Sequence, residues 1–303
     1  MTSLLLLLVC AILGMVVART VKGARGFAQP LNWWVLNIAL PALVLELLPK
    51  LELDWHLWFL LVTQWLIFIG AWVVFATLGR LFHWTKGRIG ALTLTAGLGN
   101  SLFFGYPVVE AALGREGLPF AVVADQGGVF MAFLFGGALV TAIYSERATS
   151  SPESLGSVIG RKLIRIPALY ALVIGLAMGQ AGGWPADIDA MLLRIGATLT
   201  PIALFSAGLQ FSFSVRDDQR APLLAGLGWT LLLAPLLTYL LGVAVGVSDL
   251  MLSVGVLQAA MPPMVSAAIL ADQHNLEPPL ANSMLAVSIV AAVVTVPIVV
   301  YLL

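Results

Sequence analysis

The sequence predicts an all-α integral membrane protein with ten transmembrane helices in a 5+5 inverted repeat, two of them broken. Three observations carry that prediction: the composition, the spacing of the apolar runs, and the alternation of the cations between them. Of 303 residues, 60% are hydrophobic and only 10% charged, with a mean hydropathy of +1.01. A soluble domain carries about 25% charged residues, so no water-facing surface can be built from this chain. The net charge of zero argues against a nucleic-acid partner, which would want a basic face. Cys10 is the single cysteine and forms no disulfide within the chain.

A spanning helix needs about 20 apolar residues, and polar breaks divide the chain into ten such runs. They are Thr2–Ala18, Leu31–Leu48, His56–Gly79, Ile89–Ala112, Leu118–Tyr144, Leu163–Gln180, Met191–Phe211, Pro222–Gly246, Leu250–Ala271 and Pro279–Tyr301. Run 1 lacks a basic leader and is followed by Arg19, Lys22 and Arg25, the polarity of a retained span rather than a cleaved signal. Residues 145–160, "SERATSSPESLGSVIG", form the longest polar connection and leave five runs on each side.

Lys and Arg collect in cytoplasmic loops. Here Arg19, Lys22, Arg25, Arg80, Lys86, Arg88, Arg147, Arg161, Lys162, Arg165, Arg216 and Arg220, 12 of the 15 cations, fall on one side. Only Lys50, Arg115 and Arg194 fall on the other. The expected location is the inner (cytoplasmic) membrane, multi-pass, with both termini extracytoplasmic.

Five runs per half is an odd number, so related halves insert in opposite senses, as in many secondary transporters. "PVVEAAL" from Pro107 matches "PMVSAAI" from Pro263 at an offset of 156, and "NIALPAL" and "ATLTPIA" align Pro41 with Pro201 at an offset of 160. Repeat 1 is thus about 1–145 and repeat 2 about 161–303.

Runs 4 and 9 should be broken. Run 4 contains "GLGNSLFFGYPVV", in which Pro107 lacks an N–H and crowds the Phe103 carbonyl, while Gly97, Gly99 and Gly105 weaken the helix by about 1 kcal/mol each. Run 9 contains "QAAMPPMVSAA", where Pro262 and Pro263 displace the carbonyls of Gln258 and Ala259. In hydrocarbon such a break is tolerated only where it is buried in protein or lines a polar cavity. Single prolines, Pro41, Pro201 and Pro297, are read as packing kinks. Paired breaks at equivalent positions point instead to a transporter substrate site, where half-helix N-termini stabilise an anion such as a carboxylate.

"GNSLFFGYP" in run 4, "TPIALFSAGLQ" in run 7 and "MPPMVSAAILADQHN" in run 9 resemble the auxin efflux carrier family, which includes the plant PIN-FORMED exporters and bacterial carriers. The resemblance covers essentially the whole chain. It implies a scaffold of helices 1, 2, 6 and 7, transport helices 3–5 and 8–10, helices 4 and 9 crossing at their breaks, organic-anion transport by an elevator-like motion, and a homodimer. Plant members carry Asn-Pro at the first break; this chain has Tyr106-Pro107, with its asparagine at Asn100.

The substrate-binding candidates are therefore Asn100, Ser101, Gly105, Tyr106, Pro107, Gln258, Met261, Pro262, Pro263 and Ser266. Asn100 and Ser101 either contact ligand or cap the interrupted helix, and Tyr106 either faces the cavity or packs. Asp125, followed by Gln126, is the one carboxylate well inside a run. A charge at that depth costs about 2.5–3.5 kcal/mol on insertion scales, so Asp125 and Gln126 are candidates for proton coupling, or else Asp125 ties run 5 to a neighbour. Glu46, Glu52, Asp54 and Glu110, near run ends, are read as solvated.

Trp33, Trp34, Trp55, Trp58, Trp84 and Trp184 lie near run ends as interfacial anchors. Gly175/Gly179 and Gly242/Gly246 have the spacing of close helix contacts. His83, Asp272 and His274 lie in loops, and no cluster has metal-ligand spacing. Neither a metal nor a cofactor is expected; the partners are the lipid bilayer and a small organic anion.

Two other functions stay open. A sodium-coupled symporter of the related bile-acid type would need oxygen ligands, which Asn100, Ser101, Asp125 and Gln126 partly supply. An intramembrane enzyme would leave the paired breaks unexplained, and no HExxH, GxSxG or P-loop motif occurs.

Overall fold

The computed structural model describes residues 2–51, 54–145, 166–211 and 219–303. Glu52, Arg147, Arg161, Lys162, Arg165 and Arg216 lie outside the described residues. The described chain is helical and contains no strand. In order, the helices are α1 (Thr2–Thr20), α2 (Ala24–Lys50), α3 (Trp55–Leu81), α4 (Lys86–Gly97), α5 (Ser101–Leu113), α6 (Arg115–Tyr144), α7 (Pro167–Gln180), α8 (Ala186–Gln210), α9 (Arg220–Val245), α10 (Asp249–Ala259), α11 (Val265–Gln273) and α12 (Pro278–Leu302). Six of them, α2, α3, α6, α8, α9 and α12, are long and apolar enough to cross a membrane. Runs 4 and 9 each carry two shorter helices, α4 with α5 and α10 with α11.

Proline placement explains much of the helix geometry. Pro41, Pro107 and Pro235 each occupy the second position of an α segment that follows a five-residue π turn, at Val35–Ala39, Ser101–Gly105 and Trp229–Leu233. Proline has no N–H to give and its ring crowds the carbonyl four residues back. A π turn, closed one residue further on, relieves both problems without opening the helix. The expected break at Pro107 is therefore absent: the chain stays helical there and opens earlier, between α4 and α5.

Two compact units make up the chain. The first contains the described parts of 1–55, 102–122 and 158–211: α1, α2, α5, the start of α6, α7 and α8. Small residues bring its helices together. At the α1–α8 crossing a Cβ on Gly14 would overlap the Phe205 carbonyl, and one on Gly208 would overlap that of Ala11. The Gly175/Gly179 pair seats α7 on Val44, Leu48 and Pro49 of α2, so that spacing serves a contact within the chain. Indole N–H groups close two gaps, Trp34 donating to Thr198 Oγ1 at 3.0 Å and Trp184 to the Leu45 carbonyl at 2.8 Å.

This unit also corrects the reading of Glu46 as solvated. Glu46 is 2% exposed and accepts from Lys50 at 2.6 Å and Arg115 at 2.8 Å. Lys50 also reaches Asp189 at 2.9 Å, Arg115 reaches Glu110 at 3.5 Å, and Thr200 donates to Glu110 at 3.0 Å. Two cations and three acids from α2, α5, α6 and α8 are thereby joined, because a carboxylate buried this deeply must be paired.

The second unit contains the described parts of 56–101, 123–157 and 212–303: α3, α4, most of α6, and α9 to α12. Its core is Phe68, Phe75, Leu92, Leu94, Leu98, Trp229, Leu280 and Met284 with their neighbours. α4 runs through it, buried at every position from Ile89 to Gly97, which suits a helix apolar on all faces. At its N-terminus Arg88 forms a two-pronged pair with Glu277 at 2.7 and 2.9 Å. Gly246, with φ 74°, ends α9 in the left-handed conformation, so it is a cap rather than a packing residue.

Two stability results follow. Gly208→Val should cost about 1–3 kcal/mol by overpacking the α1–α8 crossing, whereas Gly228→Ala, where nothing lies within 4 Å of the added carbon, should gain about 0.4–1 kcal/mol. Thermal unfolding of both variants in detergent checks this, and equal shifts would refute the close crossing. Glu46→Gln should lower Tm more than Asp189→Asn, since the Glu46 side chain is 3% exposed and that of Asp189 31%.

Candidate functional site

α4 stops at Gly97 and Leu98 turns extended, with φ −123° and ψ 96°. α10 stops at Ala259, and Met264 is extended before α11, with φ −65° and ψ 130°. The two opened stretches lie antiparallel and pair with each other. Asn100 N–H donates to the Pro262 carbonyl at 2.7 Å, Met264 N–H donates to the Leu98 carbonyl at 2.8 Å, and Gly99 faces Pro263 in a single bridge. Pro262 and Pro263 can only accept, so the donors must come from Asn100 and Met264. A Cβ on Gly99 would sit 3.3 Å from the Gln258 carbonyl and 3.5 Å from that of Met261, so a larger residue there would press on the facing backbone.

Polar side chains gather on this pairing within the second unit. Asn100 is 1% exposed, Ser101 and Gln258 0%, Asp125 and Gln126 2%. Ser101 Oγ donates to Asp125 Oδ1, and Gln126 Nε2 donates to Asp125 Oδ2 at 2.7 Å. Asp125 and Gln126 sit in a six-residue π segment, Ala124–Val129, of the kind that re-aims side chains at functional positions. Met261, Pro262 and Pro263 are buried beside them.

The other predicted residues fall elsewhere. Gly105, Tyr106 and Pro107 belong to the first unit, where Tyr106 is fully buried. Ser266 is exposed on α11.

Sequence reasoning missed Gln64. It lies in the middle of α3, 4% exposed, with its Cβ and Cγ against Gly128 of α6, and its Nε2 has no hydrogen-bond partner among the described residues. An amide in the middle of "LLVTQWLIF" was the available signal. Gln258 is more extreme: neither Nε2 nor Oε1 has a partner among the described residues. Burying such a group unpaired costs about 1–3 kcal/mol, so water or a ligand must pair it. Among the described residues no group of three His, Cys, Asp or Glu could hold a metal ion.

The arrangement can do two things chemically. α4 and α10 present C-terminal, partly negative ends at the crossing, while α5 and α11 begin there with partly positive ends. Anionic and cationic ligands thus each find a complementary helix terminus, with amide and hydroxyl groups to orient them.

A family model described as "Membrane transport protein" matches residues 1–300. An uncharacterized transporter of Methanothermobacter thermautotrophicus is 30% identical over 276 residues, covering 89% of this chain and 87% of that protein. The uncharacterized transporter YfdV of Escherichia coli is 26% identical over 310 residues, covering 99% and 96%. The chain therefore belongs to the membrane transport protein family, the auxin efflux carrier family that its run 4 and run 9 motifs resemble.

Proposed function

We propose that the protein is a secondary active or facilitative carrier of a small organic anion, a carboxylate of the auxin-like or dicarboxylate kind, bound where the two helix breaks cross. The observation that carries this reading is the backbone pairing of Leu98–Asn100 with Pro262–Met264, flanked by buried Asn100, Ser101 and Gln258. Opened backbone deep in an apolar chain is tolerated where it is buried in protein or lines a polar cavity, and paired breaks mark the substrate site of many transporters. The start of α11 brings partial positive charge for one carboxylate.

Alternating access of the elevator type suits this site. The second unit carries the paired stretches on one packed core; in this reading transport helices 3–5 and 8–10 travel with the ligand while helices 1, 2, 6 and 7, here α1, α2, α7 and α8, serve as the scaffold and the homodimer contact. In this reading the chain resides in the inner membrane with both termini outside, as the cation alternation directs.

Binding of radiolabelled benzoate and malonate to the purified protein tests the site. Asn100→Ala and Pro263→Ala should each weaken whichever anion binds by about tenfold, the loss of one good hydrogen bond or of the crossing geometry, while Tm stays within a few degrees of wild type. Unchanged affinity in both variants removes the crossing as the site. Orientation is tested separately with single cysteines in residues 145–160. These should resist an impermeant thiol reagent applied to intact cells, and labelling from outside would reverse the topology.

A further inference from the structure

We propose that the same crossing also holds a monovalent cation of the sodium class, ligated by the Asp125 carboxylate, the Ser101 hydroxyl and the Gln258 amide oxygen, so that anion and cation move together. This rests on the carrier reading above and adds the coupling species to it.

Four observations carry the inference. Both α4 and α10 end at the crossing, and opened carbonyls at half-helix C-termini are where transporters coordinate cations. The carbonyls of Gln258 and Met261 face Gly99 at the centre of the pairing. Asp125 adds a carboxylate whose hydrogen bonds from Ser101 and Gln126 come from neutral donors. The stretches that build this region, 89–106, 118–144 and 250–271, contain no Lys, Arg or His, so they supply no positive side chain of their own.

Gln258 is the most specific part. It is fully buried, and both its amide oxygen and its amide nitrogen lack partners among the described residues. A single anion would satisfy the nitrogen and leave the oxygen unpaired; a single cation would do the reverse. Cation and carboxylate bound side by side satisfy both atoms at once, with the amide bridging them. One carboxylate among neutral oxygens balances a singly charged ion, whereas Ca²⁺ sites draw on several acids, and among the described residues no group of three His, Cys, Asp or Glu could hold a metal ion.

Such a pair makes the two affinities interdependent. Substrate carboxylate and ionised Asp125 repel in a low-dielectric site, and a cation between them turns that repulsion into attraction. By linkage, each ligand must then tighten the other by the same factor.

The test uses the full-length protein in detergent. Thermal unfolding is followed in NaCl, LiCl, KCl and choline chloride at constant ionic strength and pH, with no substrate present. Saturating Na⁺, at about 100 times its Kd, should raise Tm by about 5 °C over choline, and Asp125→Asn and Gln258→Leu should each abolish that rise. Na⁺ should also lower the Kd of the bound anion, benzoate or malonate, several-fold.

Equal Tm in Na⁺ and choline overturns the cation site. So does a Tm that follows pH alone, because Asp125 then carries a proton instead. Where neither variant folds, the wild-type titration decides. Anion binding that persists with the same Kd in choline removes the cation and leaves the carrier standing, whereas Na⁺ stabilisation without anion binding does the opposite.

Discussion

Every backbone N–H and C=O in hydrocarbon must find a partner inside the protein, at several kcal/mol for each failure. The pairing of Leu98–Asn100 with Pro262–Met264 is this chain's way of meeting that demand while keeping two helices open. Neither break is tolerable alone. Run 9 loses two donors to Pro262 and Pro263, so its opened carbonyls need N–H groups from outside, and Asn100 brings one to the Pro262 carbonyl. Run 4 is freed by glycines rather than prolines, so it has donors to give. The two opened stretches are complementary in hydrogen bonding, and that complementarity fixes where Ser101, Asp125 and Gln258 can stand.

Holding this arrangement in lipid falls to packing, since apolar side chains gain little by leaving one hydrocarbon for another. The means is close approach at small residues. Gly128 admits the stem of Gln64, Gly226 admits Met284, and Gly255 admits Phe59, so α6, α9 and α10 each seat a side chain from elsewhere in their unit. α4 takes the central position because none of its residues from Ile89 to Gly97 needs water. Its two threonines, Thr93 and Thr95, return their hydroxyls to the Ile89 and Ala91 carbonyls, as solvent-free helices require.

The existence of both breaks was legible in the sequence, and so was the place of Asp125 inside an apolar helix, because each rests on residue chemistry that context cannot easily override. The position of the first break was not. Pro107 is the strongest breaker in run 4, yet a π turn before it absorbs the lost hydrogen bond, and that turn leaves no compositional trace. Glu46 misled for a related reason: its partner Arg115 is 69 residues away, and burial set by a distant cation cannot be read locally. Gln64 was passed over because one amide among apolar neighbours looks like an accident until the glycine opposite it is known.

In the proposed reading the crossing gives a carrier a reason to break its helices in pairs. One interrupted helix offers a positive start and a negative end facing each other across the gap, which largely cancel. Two interruptions set antiparallel and bonded to each other bring two ends, of α4 and α10, and two starts, of α5 and α11, to one pairing. In the proposed reading, such a pairing offers helix termini of both signs, about half a charge each, to an anion and a cation, with buried amides that serve either sign and no Lys or Arg in residues 89–106 or 250–271.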